Sequence, residues 1–388
     1  MKVMYILHSC IAGGATISFL NLVKGIREKN IEVVIVHPRP NVKDESLIKT
    51  LTNIGCKCVT ARIATSINPK RKGVLNFIKF ILRFLLIFIR KNISFNDLKK
   101  IVKSEKPDII HTNTGVVHEG YLVAKKYNIP HVWHLREYQE KDFNWIILPS
   151  KLYFEKMLRD SYSICITKDI QKFFDLNKYY KSFVIYNPIM SLKDTEKELL
   201  YSNCFIVANR LSPEKGIEDI LDAYSIFCNH NQGYKLMLLG FGDEKYIGKL
   251  KSICKDKSIE SNVEFLGYKE NVLDYIKRAK ALIVGSFYEG FGRMTAEANM
   301  LGVPVIGRNT GGTKEILELT KGGFLFDTVE QMADYMREIA AKKDSELSKI
   351  MKKPHMVAEE HFSNEQHIQK VKDLYNTILS KKAIKENI

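Results

Sequence analysis

Two glutamates, Glu289 and Glu297, stand with seven residues between them in the segment SFYEGFGRMTAEANMLGVPVIGRNTGGTKEI (286–316). An aliphatic run ends just before Glu289, Gly290 and Gly292 make a turn, and helical spacing begins near Arg293. Backbone N–H groups at such a helix start form an anion site, and the glycines let a phosphate approach the main chain closely. Glu289 falls at the turn and Glu297 about one helical turn inside, so both carboxylates can accept from the hydroxyls of one ligand. Sugars and riboses offer such hydroxyls. Most glutamate pairs at this spacing are only a loop residue and a solvated helix residue; here the glycine turn between them and the Gly311-Gly312 turn favour a ligand site.

A second group lies in ANRLSPEKGIEDIL (208–221). A strand is expected to end at Asn209, Arg210 follows, and Lys215 precedes Gly216 at a helix start. Two cations and a helix N-terminus suit a diphosphate leaving group. In VEFLGY (263–268), Gly267 would permit close approach and Tyr268 could stack on a flat base, although a surface tyrosine beside a core strand is equally expected. HVWHLRE (131–137) puts His134 at a strand end, where a histidine is more often structural than catalytic. Gly13-Gly14 joins the first strand to the first helix, without the G-x-G-x-x-G spacing of a nicotinamide-binding loop.

These segments together resemble the retaining glycosyltransferases of glycosyltransferase family 4, which have the GT-B fold. The pattern from Glu289 to Glu297 resembles that family's E-x7-E signature, and Arg210 to Gly216 resembles its R-L-x-x-x-K-G phosphate clamp. The resemblance implies that Glu289 holds donor-sugar hydroxyls and that Glu297 holds the nucleotide ribose. It implies Arg210 and Lys215 on the diphosphate, with Gly290, Phe291, Gly292, Arg293, Met294 and Thr295 lining the donor site. It also implies Gly267 and Tyr268 beneath the base, His134 near the donor sugar, and Gly13 and Gly14 in a loop closing over the phosphates. Gly285-Ser286 stands where many members have Pro-Ser. No D-x-D pair occurs, so no metal and no other cofactor is expected, and cationic side chains would neutralise the diphosphate.

The elements that must position these groups are legible as alternation. KVMYIL, a Gly-Gly turn, a helix over 16–29 with Ile17, Leu20, Val23 and Ile26, then EVVIVH make a β-turn-α-β unit. Further strands are expected at 108–113, 131–135, 163–167 and 182–186, and a second series at 204–209, 235–240, 263–267, 281–286, 304–308 and 323–327. The expected fold class is α/β, with two facing doubly wound parallel-sheet, Rossmann-like domains about a central cleft. The expected divisions are an acceptor-side domain over 1–195, a nucleotide-sugar-binding domain over 196–362, and a C-terminal helix over 363–388 packing back toward the first domain. That last helix opens with Ser363 and Gln366 in a capping-box pattern, followed by Ile368, Val371, Tyr375 and Ile378.

Composition bounds the partners. The chain has 388 residues, 45% hydrophobic and 27% charged, enough for two cores. A net charge of +16 favours polyanionic partners. The seven cysteines form no regular framework and fit scattered thiols in a reducing cytosol. The N-terminus reads as a buried strand and not as a secretory signal.

PKRKGVLNFIKFILRFLLIFIRKN (69–92) is the most unusual stretch. Asn76, Lys79, Arg83 and Arg90 would form one polar stripe on an otherwise apolar helix carrying phenylalanines at 77, 80, 84 and 88. It is too short and too charged to span a bilayer. It suits the head-group boundary of an anionic membrane, with a helix buried in the first domain as the alternative.

The expected activity is therefore transfer of a hexosyl or N-acetylhexosaminyl group, with retention, from a UDP-sugar, with a GDP-sugar as the alternative donor. The acceptor would be a glycan or lipid-linked carrier in cell-surface polysaccharide biosynthesis such as capsule or lipopolysaccharide, at the inner face of the cytoplasmic membrane. A sugar-nucleotide 2-epimerase of the same architecture would need further acid/base carboxylates and histidines that the sequence does not display. A nucleic-acid-binding protein would show clustered cations interleaved with exposed aromatics, and none appears.

Overall fold

The computed structural model describes residues 1–11, 14–40, 45–69, 74–140, 145–194 and 201–386, with backbone alone at 74–78, 385 and 386. The chain divides into two compact units: Met1–Pro188 with Asn364–Ile388, and Ile189–Ser363. The division thus falls seven residues before the expected boundary at 195/196, and the C-terminal segment groups with the first unit.

The first unit is built on β1 (Lys2–Ile6), β2 (Glu32–His37), β3 (Lys57–Thr60), β5 (Ile109–Thr112), β6 (His131–Leu135), β8 (Tyr162–Cys165) and β9 (Ser182–Val184). They form one sheet in the order β3-β2-β1-β5-β6-β8-β9, every neighbour parallel. A two-stranded antiparallel ribbon, β4 (Ile67–Pro69) with β7 (Trp145–Ile147), stands apart. The central strands β1 (KVMYI), β5 (IIHT) and β6 (HVWHL) are buried almost throughout, as expected of a parallel sheet covered by helices on both faces.

The first helix, Gly14–Glu28, turns Phe19, Leu22, Val23 and Ile26 inward, while Ile17 faces solvent. Its Gly25 lies against Ile368 of the helix Asn364–Glu386; a Cβ there would come within 2.0 Å of the Ile368 side chain. Glycine inside a helix costs about 1 kcal/mol relative to alanine. Here it lets Val371, Leu374, Tyr375 and Ile378 join the core of the first unit.

The second unit contains β10 (Ser202–Ala208), β11 (Lys235–Leu239), β12 (Val263–Gly267), β13 (Ala279–Val284), β14 (Val305–Arg308) and β15 (Gly323–Phe326). Their order is β12-β11-β10-β13-β14-β15, again all parallel. The helix Ile217–Cys228 buries Ile217, Ile220, Leu221, Tyr224 and Phe227 against this sheet, as its spacing predicts. Strand order reverses between β10 and β13, and ligands of such sheets bind beyond the carboxyl ends of the strands at that point.

The stretch expected to be membrane-facing is part of a longer helix, Val74–Glu105, whose second half is polar. Among the described residues no helix is long and apolar enough to cross a membrane. All seven cysteines are free thiols.

Candidate active site

β13 ends at Val284 and hands the chain through Ser286 to Glu289, while β10 ends at Ala208 and leads through Asn209 to Lys215. The two strand ends are neighbours, so the two motifs meet at the reversal point. Ala208, Asn209, Lys215, Val284, Glu289 and Gly292 to Thr295 line one cavity of about 250 Å³. Lys215 Nζ donates to Glu289 Oε1 at 2.7 Å, both side chains mostly buried. Arg293 opens the helix Arg293–Met300 and lies 2.8 Å from Glu297 Oε1, one turn on. Burial pushes the Glu297 carboxyl up, and the Arg293 guanidinium pulls it back.

The glycines have separate reasons. Gly292 is left-handed (φ +81°) as the residue before the helix. Gly311 (φ +51°) and Gly312 press against the Glu289–Gly292 turn: a Cβ on Gly311 would stand 2.4 Å from the Glu289 carbonyl oxygen, and Gly312 N donates to that same oxygen at 2.7 Å. The second Gly-Gly turn therefore holds the first. Gly285, where many family members have proline, packs on the lysine turn. Its Cβ would be 2.9 Å from Gly216 O and 3.0 Å from Lys215 O, and a Cβ on Gly216 would be 2.3 Å from Gly285 O.

Arg210 does not share the Lys215 cavity. Its exposed guanidinium is bonded to Glu214, and it lines a neighbouring cavity of about 310 Å³ with Asn209, Leu239, Phe241, Tyr268 and Val272. Tyr268 and Phe241 lie parallel there, ring centroids 4.9 Å apart, both exposed. Gly267 adopts φ +66° with open space around its α-carbon. The result is a flat apolar shelf beside the charged cavity.

In the first unit His134 is fully buried, and its Nδ1 lies 3.2 Å from His111 Nε2. Gly14 begins the first helix, and Gly13 lies outside the described residues. Phe291 and Thr295 are buried, Thr295 approaching Thr313.

Sequence reasoning missed four participants. Asn209 lines both cavities. Phe241 completes the aromatic shelf. Arg308 donates to the Gly285 carbonyl at 2.8 Å and pairs with Asp219, bracing the strand exit. His111 is the direct partner of His134. An arginine ending a strand beside the glycine turn was a signal available for Arg308; nothing local marks the others.

The family model "Glycosyltransferase Family 4" matches residues 12–189, and "Glycosyl transferases group 1" matches 193–355. The chain belongs to glycosyltransferase family 4. An uncharacterized glycosyltransferase of Methanocaldococcus jannaschii is 29% identical over 234 residues, 56% of this chain and 61% of its own length. The match thus spans less than two thirds of that relative. The alpha-monoglucosyldiacylglycerol synthase of Acholeplasma laidlawii is 23% identical over 96% of both chains. Among solved structures, Anabaena HepE in complex with UDP superposes with a TM-score of 0.77 at 17% identity, over 97% of this chain and 100% of that one. The fold is GT-B.

Proposed function

We propose that the chain is a retaining glycosyltransferase that moves a sugar from a UDP-sugar to a lipid-linked or membrane-associated glycan acceptor, without a metal, at the cytoplasmic face of a membrane. The observation that carries this reading is the Lys215–Glu289 ion pair at the strand-order reversal, beside a helix start whose second turn carries Glu297.

A nucleoside diphosphate laid over that helix start meets backbone N–H groups that no intrahelical carbonyl can satisfy. Lys215 transfers its bond from Glu289 to phosphate, which frees the carboxylate for donor-sugar hydroxyls. Glu297 accepts from the ribose, and the Phe241–Tyr268 shelf offers an aromatic surface to the base. UDP in the HepE structure favours uracil. As the anomeric C–O bond breaks, charge grows on the leaving diphosphate, where preorganised donors lower the barrier. The acceptor oxygen bonds to the anomeric carbon on the face the phosphate leaves, and the departing phosphate oxygen takes the acceptor proton.

Six side chains of the long helix support the membrane part. Ile81, Leu82, Leu85, Leu86, Phe88 and Ile89 are each 41–58% exposed and, at 100° per residue, fall on one arc. Lys79, Arg83 and Arg90 border that arc on one side. An apolar face edged by cations fits an anionic bilayer surface. Phe80 and Phe84 face the other way and are half-buried, so the lipid-facing group differs from the phenylalanine set the sequence offers; the Phe77 side chain lies outside the described residues. The product named for the Acholeplasma relative is a glycolipid, consistent with an acceptor met at that surface.

Thermal-shift measurement with UDP, GDP and ADP tests the donor site, because a ligand that binds only the native state raises the melting temperature. UDP is expected to give the largest shift; no shift with any of them would overturn the reading.

A further inference from the structure

A chain of buried polar side chains runs through the first unit and ends at His134. Tyr5 Oη lies 2.8 Å from Tyr375 Oη, Tyr375 Oη lies 2.6 Å from His111 Nδ1, and His111 Nε2 lies 3.2 Å from His134 Nδ1. Tyr5 comes from β1, His111 from β5, His134 from β6 and Tyr375 from the C-terminal helix. All four are fully buried. Burial, with the Arg136 cation and the neighbouring imidazoles, holds both histidines well below the usual range, so each carries a single ring proton at neutral pH.

Arg136 gives the chain its direction. Its guanidinium is anchored by Asn113 Oδ1 at 2.9 Å and Asn187 Oδ1 at 2.7 Å, and its Nη2 stands 3.5 Å from His134 Nδ1. That contact is too long to count as a strong hydrogen bond. A cation beside Nδ1 nonetheless favours a lone pair there over a proton. His134 Nδ1 must then accept, so His111 Nε2–H donates to it. His111 Nδ1 in turn accepts from the Tyr375 hydroxyl, which accepts from Tyr5. By elimination His134 carries its proton on Nε2, and that buried nitrogen has no hydrogen-bond partner among the described residues.

A second histidine is fixed with the opposite sense. His367, also in the C-terminal helix, has Nδ1 2.6 Å from the carbonyl oxygen of Tyr186, which can only accept. Its proton is therefore on Nδ1, and its buried Nε2, without a partner among the described residues, presents a lone pair. The His134 and His367 rings stack with centroids 6.2 Å apart. One ring offers a donor and the other an acceptor, the pattern that a hydroxyl group satisfies.

We propose that Tyr375, His111 and Tyr5 are positioning residues that lock His134 as an Nε2–H donor, so that the C-terminal helix sets the hydrogen-bond sense of this histidine. The catalytic part of this inference rests on the proposed transfer reaction; the proton positions do not. A free imidazole exchanges between tautomers, and a site that needs a donor loses whatever fraction holds the wrong one. The relay removes that fraction.

Long-range proton–nitrogen NMR of the histidine-labelled full chain reads the tautomers directly. His134 and His111 are expected protonated on Nε2 and His367 on Nδ1. Finding His134 protonated on Nδ1, or on both nitrogens at neutral pH, overturns the proposal whatever any variant does. Tyr375→Phe keeps the ring and removes the hydroxyl that His111 Nδ1 needs. It is expected to shift the His134 ring nitrogens toward a mixture and to lower kcat by about tenfold or more. Unchanged nitrogen shifts in this variant, with full activity, overturn the positioning role. Altered shifts with unaltered transfer uphold the relay and remove His134 from the transfer reaction.

Discussion

The apolar arc on the helix Val74–Glu105 permits a quantitative test. Leu82, Leu85 and Ile89 are 56, 55 and 58% exposed, so somewhat more than half of each side chain is available to a bilayer. Full burial of such a side chain is worth about 1.5–3 kcal/mol, and the exposed half therefore about 0.8–1.5 kcal/mol. Replacing all three with Ser should weaken membrane partitioning by about 2.4–4.5 kcal/mol, roughly 50- to 1,600-fold. Replacing Lys79 and Arg90 with Gln should cost about 1 kcal/mol per cation at low ionic strength and less at high salt. Flotation with vesicles containing anionic lipid measures both effects, and UDP-induced thermal shift confirms that the second unit is intact. Phe80→Ser with Phe84→Ser serves as the contrast: these half-buried side chains pack inward, so the pair should lower the melting temperature. A triple serine variant that floats like the wild type, or a wild type that ignores such vesicles at low salt, would refute the assignment of this face to a membrane.

Lys215→Ala is expected to lose about 1.5–3 kcal/mol of charge-assisted bonding to the donor diphosphate, a ten- to 150-fold fall in kcat/KM with an unchanged circular dichroism spectrum; near wild-type turnover contradicts the phosphate assignment. EDTA should leave transfer essentially unchanged, and strict dependence on added manganese or magnesium would mean that another group neutralises the diphosphate. Burial raises the Glu297 carboxyl above its unfolded value, so the native state holds this proton more tightly and loses stability as pH rises from the unfolded carboxyl range through the native one. Glu297→Gln is therefore expected to raise the melting temperature of the ligand-free protein at pH 7 while weakening UDP binding by roughly ten- to 150-fold; a lowered melting temperature would show that the Arg293 pair outweighs the burial cost.

The second sheet was legible strand by strand because its central strands carry short apolar runs, such as FIVA in β10, LMLL in β11 and ALIV in β13. β3 was not, since its end residues are exposed and it carries no such run; the ribbon of β4 and β7 is too short to leave a pattern. The long helix outruns its apolar stretch because its second half, from Ser94, is held by a few buried residues such as Leu98 and Val102 among charged ones. Within the site, the Glu289–Lys215 relation could be expected from two separate motifs because each sits at a strand end of the same reversal. The detachment of Arg210 could not: it depends on Glu214, four residues on, taking the guanidinium. Nor could the mutual packing of Gly216 and Gly285 be expected, since it is a contact between backbones and leaves no side-chain signature. The His111–Tyr375 bond joins residues far apart in sequence, and the helical spacing that predicted a buried Tyr375 was silent about the partner of its hydroxyl.

The charged side chains of the candidate site are joined in ion pairs: Lys215 with Glu289, Arg293 with Glu297, and, at the neighbouring cavity, Arg210 with Glu214. A donor that binds there exchanges charge-assisted bonds for others of the same kind, so only the difference contributes to affinity. In the proposed reaction this exchange orders recognition. Glu289 is engaged by Lys215 until a phosphate takes the ammonium, and only then can the carboxylate accept from sugar hydroxyls without competing with its own partner. A free monosaccharide brings no phosphate and must compete with the ion pair, whereas the nucleotide-linked sugar opens its own subsite. Under that proposal sugar recognition would be coupled to the diphosphate through one lysine, and a preference for activated over free sugar would follow from the 2.7 Å contact between Lys215 and Glu289.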